Sequence, residues 1–279
     1  MNNYFKLKWY DIILVIVLFF VGICIINTLF LYLAKIINLN PYVFTPIITV
    51  GNYILIYIVY HFICLKPRNE SFKISYSYNN IKFFPIAFLL FLGQYLVSEY
   101  LTGLIPTQGG ILEKMYKAMS YALLGNTENY PIITFISVCI VAPIFEEIFF
   151  RGFILKGMLN NGVKPYAAIL ISSLIFGGIH IFPWQAVGGI LAGTILGITF
   201  YKSGSLLTCT TLHFINNFVA YLLFIRYKSL ESPDFGFSGF ALFIVGIILI
   251  VIFGHFYIKF TKNKNMEITK YGNTISDSK

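Results

Sequence analysis

Long apolar stretches recur along the whole chain, and the short connections between them hold most of the charged residues. A helix needs roughly 20 predominantly apolar residues to cross about 30 Å of hydrocarbon. By this measure the pattern predicts eight membrane spans. They cover residues 12–33, 43–64, 83–101, 131–155, 165–182, 185–201, 205–225 and 239–260.

Composition agrees with this pattern, because 58% of the residues are hydrophobic and only 11% are charged. A soluble domain is usually about 45–50% apolar and about 25% charged. We therefore expect an all-α, polytopic membrane protein with about eight transmembrane helices and an active site buried in the helix bundle. Residues 1–279 would form a single membrane domain, in which 261–279 are a flexible cytoplasmic tail.

The positive charges predict the orientation of the chain. One alternate set of connections is basic, and the other has few positive charges, largely matched by acidic residues. The basic set holds Lys6, Lys8, Lys66, Arg68, Lys73, Lys82, Lys156, Lys164, Lys202, Lys262, Lys264 and Lys270. The acidic residues of the other set are Glu113, Glu128, Glu231 and Asp234. The positive-inside rule then predicts that both termini are cytoplasmic.

The net charge of +9 comes from these connections. It is therefore a topology signal, and we expect no nucleic-acid partner. Membrane lipids are the expected surroundings of the chain. Its richness in Ile, Asn, Lys, Phe and Tyr is typical of an AT-rich genome, which favours a bacterial cell membrane.

Two acidic residues, Glu146 and Glu147, lie well inside a predicted span. An ionisable residue at that depth costs about 2.5–3.5 kcal/mol even on lenient insertion scales. Glu147 stands four residues before Arg151, so the two share a helix face and can form an ion pair. Glu146 is rotated by about 100° and cannot share that partner well. It is therefore a candidate general base, although both glutamates could instead only bridge helices.

His180 and His213 also lie inside predicted spans. Taken alone, each is explained equally well by a role as a hydrogen-bonded packing residue. His213 and Asn217 are four residues apart and share a helix face. This pair suits either metal ligation or hydrogen-bond donation to a developing oxyanion. At 1.5 Å per residue Glu146 and His213 have similar depths, and His180 is deeper. Convergence on one site therefore requires helix tilt or a shortened fifth span.

In chain order these residues spell EExxxR from Glu146, FxxxH from Phe176 and HxxxN from His213. The three motifs, each on its own span, resemble those of the CPBP family. This family comprises CAAX prenyl proteases and bacteriocin-processing or immunity proteins, and is also called the Abi family. The resemblance covers about residues 143–218, within a catalytic core of about 131–226.

The resemblance implies an intramembrane endopeptidase, of either the glutamate type or the metalloprotease type. Glu146 with His180 would activate the attacking water, and His213 with Asn217 would bind the oxyanion. Alternatively, Glu146, His180 and His213 would hold one divalent, zinc-like ion. Glu147 and Arg151 would fix the fourth span as a structural ion pair. The expected substrates are lipid-anchored or membrane-associated proteins or peptides, cleaved in CAAX-type processing or in bacteriocin or pheromone maturation.

Two other functions stay open. A membrane protein of the same fold could confer bacteriocin self-immunity or act as a scaffold without catalysis. A transporter could use buried Glu and His side chains as a proton relay. The chain shows neither an internal repeat nor a second buried acidic cluster, and both absences count against a transporter.

Overall fold

The computed structural model describes residues 4–72, 74, 81–230 and 236–261. These residues are almost entirely helical and contain no β-strand, apart from an isolated bridge between Tyr4 and Ser71. The described part of the chain forms nine helices. They are α1 (Trp9–Ile37), α2 (Pro41–Arg68), α3 (Ile81–Gly103), α4 (Gly110–Ser120), α5 (Pro131–Asn160), α6 (Pro165–Gly178), α7 (Pro183–Ser203), α8 (Leu206–Tyr227) and α9 (Gly239–Phe260). A wide turn, Tyr121–Gly125, and a short helix, Asn126–Asn129, extend α4.

Seven of these helices, all except α4 and α6, are long and apolar enough to cross a membrane by length and composition. Each corresponds to one of the predicted spans, with ends that differ by up to five residues. The protein is therefore an all-α, polytopic membrane protein, as the apolar pattern predicted.

The predicted fifth span, residues 165–182, is shorter in the structure. Its helix α6 ends at Gly178 after 14 residues, which is about 21 Å at 1.5 Å per residue. Ile181 then takes a left-handed conformation with φ of 62°, and Pro183 begins α7. A Cβ on Gly177 would lie 2.5 Å from the Ala186 carbonyl oxygen, so glycine is required where α6 and α7 approach each other.

Some predicted features lie outside the described residues. They are the tail from residue 262 onwards, with Lys262, Lys264 and Lys270, and the connection residues Lys73, Glu231 and Asp234.

The described residues divide into two compact units. The first takes its residues from Met1–Ile74, Thr107–Asn161 and His213–Pro233. Within it α1 packs on α2, and α2 contacts α5 through aromatic rings. The Tyr53 ring lies 6.1 Å from Phe145 and 5.2 Å from Phe149, centroid to centroid.

The second unit takes its residues from Ser75–Pro106, Gly162–Leu212 and Asp234–Lys279. Within it α3 packs against α9 and α7, and α6 packs against α7. A Cβ on Gly93 of α3 would lie 2.8 Å from the Gly246 carbonyl oxygen of α9. Helices in lipid approach closely where such small residues face each other, because dispersion contacts replace the hydrophobic effect there.

Candidate active site

Helix α5 departs from regular α geometry on both sides of the glutamate pair. Its hydrogen bonds widen to the π type over Phe135–Val141 and again over Ile148–Leu155. Between these two segments, Ala142–Glu147 is regular α-helix and ends in Glu146 and Glu147. Single π turns inside α-helices occur frequently at functional sites. This departure from α geometry therefore makes the segment around the two glutamates a candidate functional site.

Glu147 accepts hydrogen bonds within a cluster of buried side chains. Arg151 Nη1 donates to Glu147 Oε1 at 2.8 Å, and His213 Nδ1 lies 2.9 Å from the same oxygen. The side chain of Glu147 is 0% exposed and that of Arg151 1%. Pairing and hydrogen bonding offset part of the cost of burying these charges. The contact between Glu147 and His213 was missed by the sequence reasoning, since the two residues are 66 apart and no local spacing signals it.

His213 lies between the two glutamates. A carboxylate only accepts hydrogen bonds. His213 Nδ1 therefore carries a hydrogen and donates this hydrogen bond to Glu147. This fixes the ring so that Nε2 points towards Glu146, with 3.7 Å between Nε2 and Oε2. That separation is longer than a direct hydrogen bond. Glu146 differs from Glu147 in that its side chain is 13% exposed.

Asn217, one turn after His213 on α8, contacts the backbone of α5. Its Nδ2 donates to the Val138 carbonyl oxygen at 2.8 Å, and its Oδ1 accepts from Asn216 Nδ2 at 3.1 Å. The structure thus places the side chain of Asn217 against α5, the helix that carries the glutamates. One N–H of its amide is bonded to the backbone of α5.

His180 belongs to the second unit, just after α6, whereas the other predicted site residues belong to the first. Its Nδ1 lies 2.7 Å from the Phe176 carbonyl oxygen. A carbonyl oxygen can only accept, so Nδ1 carries the proton and the neutral ring keeps Nε2 as an acceptor or base. The spacing of FxxxH thus places the histidine ring on a carbonyl one turn back, which defines its tautomer.

An apolar cavity of about 350 Å³ lies in the first unit, between α2, α5 and the residues that follow α2. Its lining includes Tyr57 and Phe72 together with Phe145 and Phe149 of α5. Phe145 immediately precedes Glu146, so the cavity and the glutamate lie at the same level of α5. The volume is in the usual range of ligand pockets.

Of the predicted metal ligands, Glu146 and His213 belong to the first unit and His180 to the second. No three His, Cys, Asp or Glu side chains among these residues form a group that could hold a metal ion. Open catalytic zinc sites have three protein ligands around the metal.

Comparison with known protein families shows which family part of the chain resembles. Residues 128–219 match the model of the Rce1-like type II CAAX prenyl endopeptidases. The similarity to this family covers about a third of the chain. The matched CAAX protease region includes Glu146, His180, His213 and Asn217, and so all three motifs. No curated protein and no solved structure matches the chain.

Proposed function

We propose that this protein is an intramembrane endopeptidase that hydrolyses peptide bonds in lipid-anchored or membrane-associated substrates. The observation that carries the proposal is the placement of Glu146. It is a carboxylate within a membrane helix, 3.7 Å from His213 Nε2, while the other ring nitrogen of His213 is held by Glu147. An ionisable residue inside a membrane span is a functional candidate by default.

Glu146 acts as the general base. The 3.7 Å between Glu146 Oε2 and His213 Nε2 is short enough for one water molecule to contact both atoms. The water oxygen attacks the peptide carbonyl carbon, and its proton passes to Glu146. Glu146 then returns the proton to the leaving amine as the C–N bond breaks. His180 assists through Nε2, the ring nitrogen that does not contact the Phe176 carbonyl oxygen.

His213 and Asn217 stabilise the oxyanion. His213 donates from Nε2 to the oxyanion while its Nδ1 stays on Glu147. The amide of Asn217 has two N–H groups, and the second joins His213 at the oxyanion while the first binds Val138. Glu147 therefore orients the histidine in addition to pairing with Arg151.

This mechanism uses the protein's own side chains. A zinc-like ion held by Glu146, His180 and His213 would instead activate the water as a Lewis acid. Incubation with a chelator separates these two types of protease. Under the glutamate mechanism the activity persists in chelator, whereas loss that one divalent ion restores would establish a metalloprotease.

The apolar cavity beside Glu146 supports a substrate that carries a lipid. Its lining offers aromatic surface, such as Phe145 and Phe149, and aliphatic surface, such as Ile148, to a hydrocarbon chain. A C-terminal CAAX sequence is the signal for prenylation of its cysteine. A prenylated C-terminal peptide is therefore the first substrate class to test, and a bacteriocin or pheromone precursor is the second.

The test compares Glu146→Gln with Glu147→Gln in protein reconstituted into liposomes. Cleavage of a quenched fluorescent CAAX peptide is followed with and without its prenyl group. Glu146→Gln keeps the side-chain shape and removes the base, so we expect folded protein and at least about a 100-fold loss of cleavage. Glu147→Gln should lower the yield of folded protein, because Arg151 and His213 lose their common carboxylate.

The outcomes separate catalysis from a non-enzymatic role. Folded Glu146→Gln protein that still cleaves the peptide would overturn the general-base assignment. If Glu146→Gln instead preserved bacteriocin immunity in cells without any cleavage, the protein would be an immunity or scaffold protein of this fold.

We also propose that both termini lie in the cytoplasm of a bacterial cell membrane. The lysine-rich connections support this orientation. They include Lys66, Lys156, Lys164 and Lys202, which lie near the ends of α2, α5 and α7 or just before α6.

A further inference from the structure

A proline lies in the interior of the helix that carries the glutamates. Pro143 is buried in α5, three residues before Glu146. Proline has no backbone N–H, so a helix that contains it leaves one carbonyl oxygen without its usual donor. Within a membrane no water is available to satisfy such a carbonyl, and another protein group has to do so.

The hydrogen-bond register of α5 identifies which carbonyl this is. The N–H of Ala142 donates to Ser137, five residues back, as in a π-helix. In the same register the donor to Val138 would be residue 143, the proline. The donor to Val138 in ordinary α register would be Ala142, whose N–H is directed to Ser137. The carbonyl of Val138 is therefore the one that lacks a donor within the helix.

Asn217 of α8 supplies that donor. Its Nδ2 lies 2.8 Å from the Val138 carbonyl oxygen. The amide is oriented by Asn216, whose Nδ2 donates to Asn217 Oδ1 at 3.1 Å. The oxygen of the Asn217 amide is thus occupied on one side, and its nitrogen faces α5. Without Asn217, the first π segment would contain an unsatisfied carbonyl, that of Val138.

We infer that Asn217 is a positioning residue for Glu146, because its side-chain amide replaces the N–H that Pro143 lacks. The bond ties α8 to α5 two turns before Glu146. It also stabilises the π-type hydrogen-bond register of α5. That register determines the rotation of Glu146 about the helix axis. The structural part of this inference is independent of the proposed function, and only its effect on cleavage rests on that function.

A double-mutant cycle between Pro143 and Asn217 tests the inference. Pro143→Ala restores a backbone N–H at residue 143, which can reach Val138 in the existing register. Removal of one partner of a buried hydrogen bond leaves the other unsatisfied, so Asn217→Ala alone should raise the unfolding equilibrium constant by about tenfold or more. In the Pro143→Ala background the same substitution should have a much smaller effect. Unfolding in mixed micelles measures both.

Pro165→Ala is the matched control. Pro165 is the first residue of α6, where the missing N–H has no helical acceptor to serve. The effect of Asn217→Ala should be the same in this background as in the unmodified protein. An effect that is also the same in the Pro143→Ala background would overturn the inference. If Asn217→Ala alone does not fold, recovery of folded protein in the double variant supports it, and failure to recover contradicts it.

The cleavage rate per folded molecule tests the positioning of Glu146, which a purely structural role would not affect. We expect kcat to fall in Asn217→Ala and to recover by at least about threefold when Pro143→Ala is added, as expected for coupled neighbours. A stability that recovers without any recovery of kcat would overturn the positioning role. The loss of kcat would then be explained by the oxyanion role of Asn217. Absence of cleavage in the unmodified protein would instead refute the proposed function, while the stability cycle would remain interpretable.

Discussion

Glu146 and Glu147 are adjacent in the chain, yet their surroundings differ. Glu147 is fully buried and accepts hydrogen bonds from Arg151 and His213. Glu146 is 13% exposed, and its Oε2 lies 3.7 Å from His213 Nε2. A sealed, paired carboxylate serves to hold neighbouring groups, whereas a carboxylate that water can reach can exchange protons. The two residues are therefore suited to different roles.

At the residue scale, we predict that Arg151→Met destabilises the protein strongly. The substitution keeps an unbranched side chain but removes the guanidinium group, which leaves the Glu147 carboxylate without its cation. Removal of one partner of a buried ion pair usually costs about 3–5 kcal/mol. Unfolding in mixed micelles measures this loss, and the double variant Glu147→Gln, Arg151→Met should regain most of it.

Lys117→Met provides the matched control for Arg151→Met. Lys117 pairs with Glu113 at the same spacing, but the lysine side chain is 74% exposed. Exposed pairs contribute little because water screens them. We therefore expect no measurable change in unfolding from Lys117→Met. Equal losses for the two substitutions would contradict the importance of burial.

At the element scale, the C-terminal end of α5 is held by residues 4–8, the N-terminal segment. Leu7 N donates to the Gly157 carbonyl oxygen at 3.0 Å, and Asn160 Nδ2 donates to the Phe5 carbonyl oxygen at 3.0 Å. Phe5 and Leu7 are 2% and 1% exposed. The segment therefore packs against the last turns of the helix that carries the glutamates.

Gly157→Ala should loosen this contact. A Cβ at residue 157 would lie 2.7 Å from Phe5 Cε2 and 2.9 Å from Leu7 Cβ, which is closer than van der Waals contact allows. Overpacking of this kind costs about 1–3 kcal/mol. Thermal unfolding and proteolysis of the N-terminal segment would detect the change. Gly125→Ala, where no described atom lies within 4 Å of the new Cβ, should leave both measurements unchanged.

At the scale of the whole molecule, the short helix α6 bears on the topology. If α6 and the residues after it did not cross the membrane, Lys202 and the lysines after α9 would lie outside. That arrangement would violate the positive-inside rule. A short apolar segment can cross where the bilayer thins locally or neighbouring residues extend towards the interface. The distribution of charge therefore favours an even number of crossings.

We accordingly predict that a reporter fused after Lys279 is cytoplasmic. Green fluorescent protein at this position should fluoresce, and alkaline phosphatase should be inactive. The same reporters fused after residue 104, at the end of α3, should show the opposite behaviour. An active phosphatase after Lys279 would show an odd number of crossings and would contradict the prediction.

The sequence by itself determined the membrane class and most of the spans, because apolar length is a property of consecutive residues. It also indicated the contacts made at a spacing of four, such as Glu147 with Arg151, because one helical turn brings those side chains together. Only the tertiary structure decided that His213 contacts Glu147 across 66 residues and that Asn217 contacts Val138 across 79. Both contacts depend on which face α8 presents to α5. That choice is made by the packing of whole helices, and no local spacing encodes it.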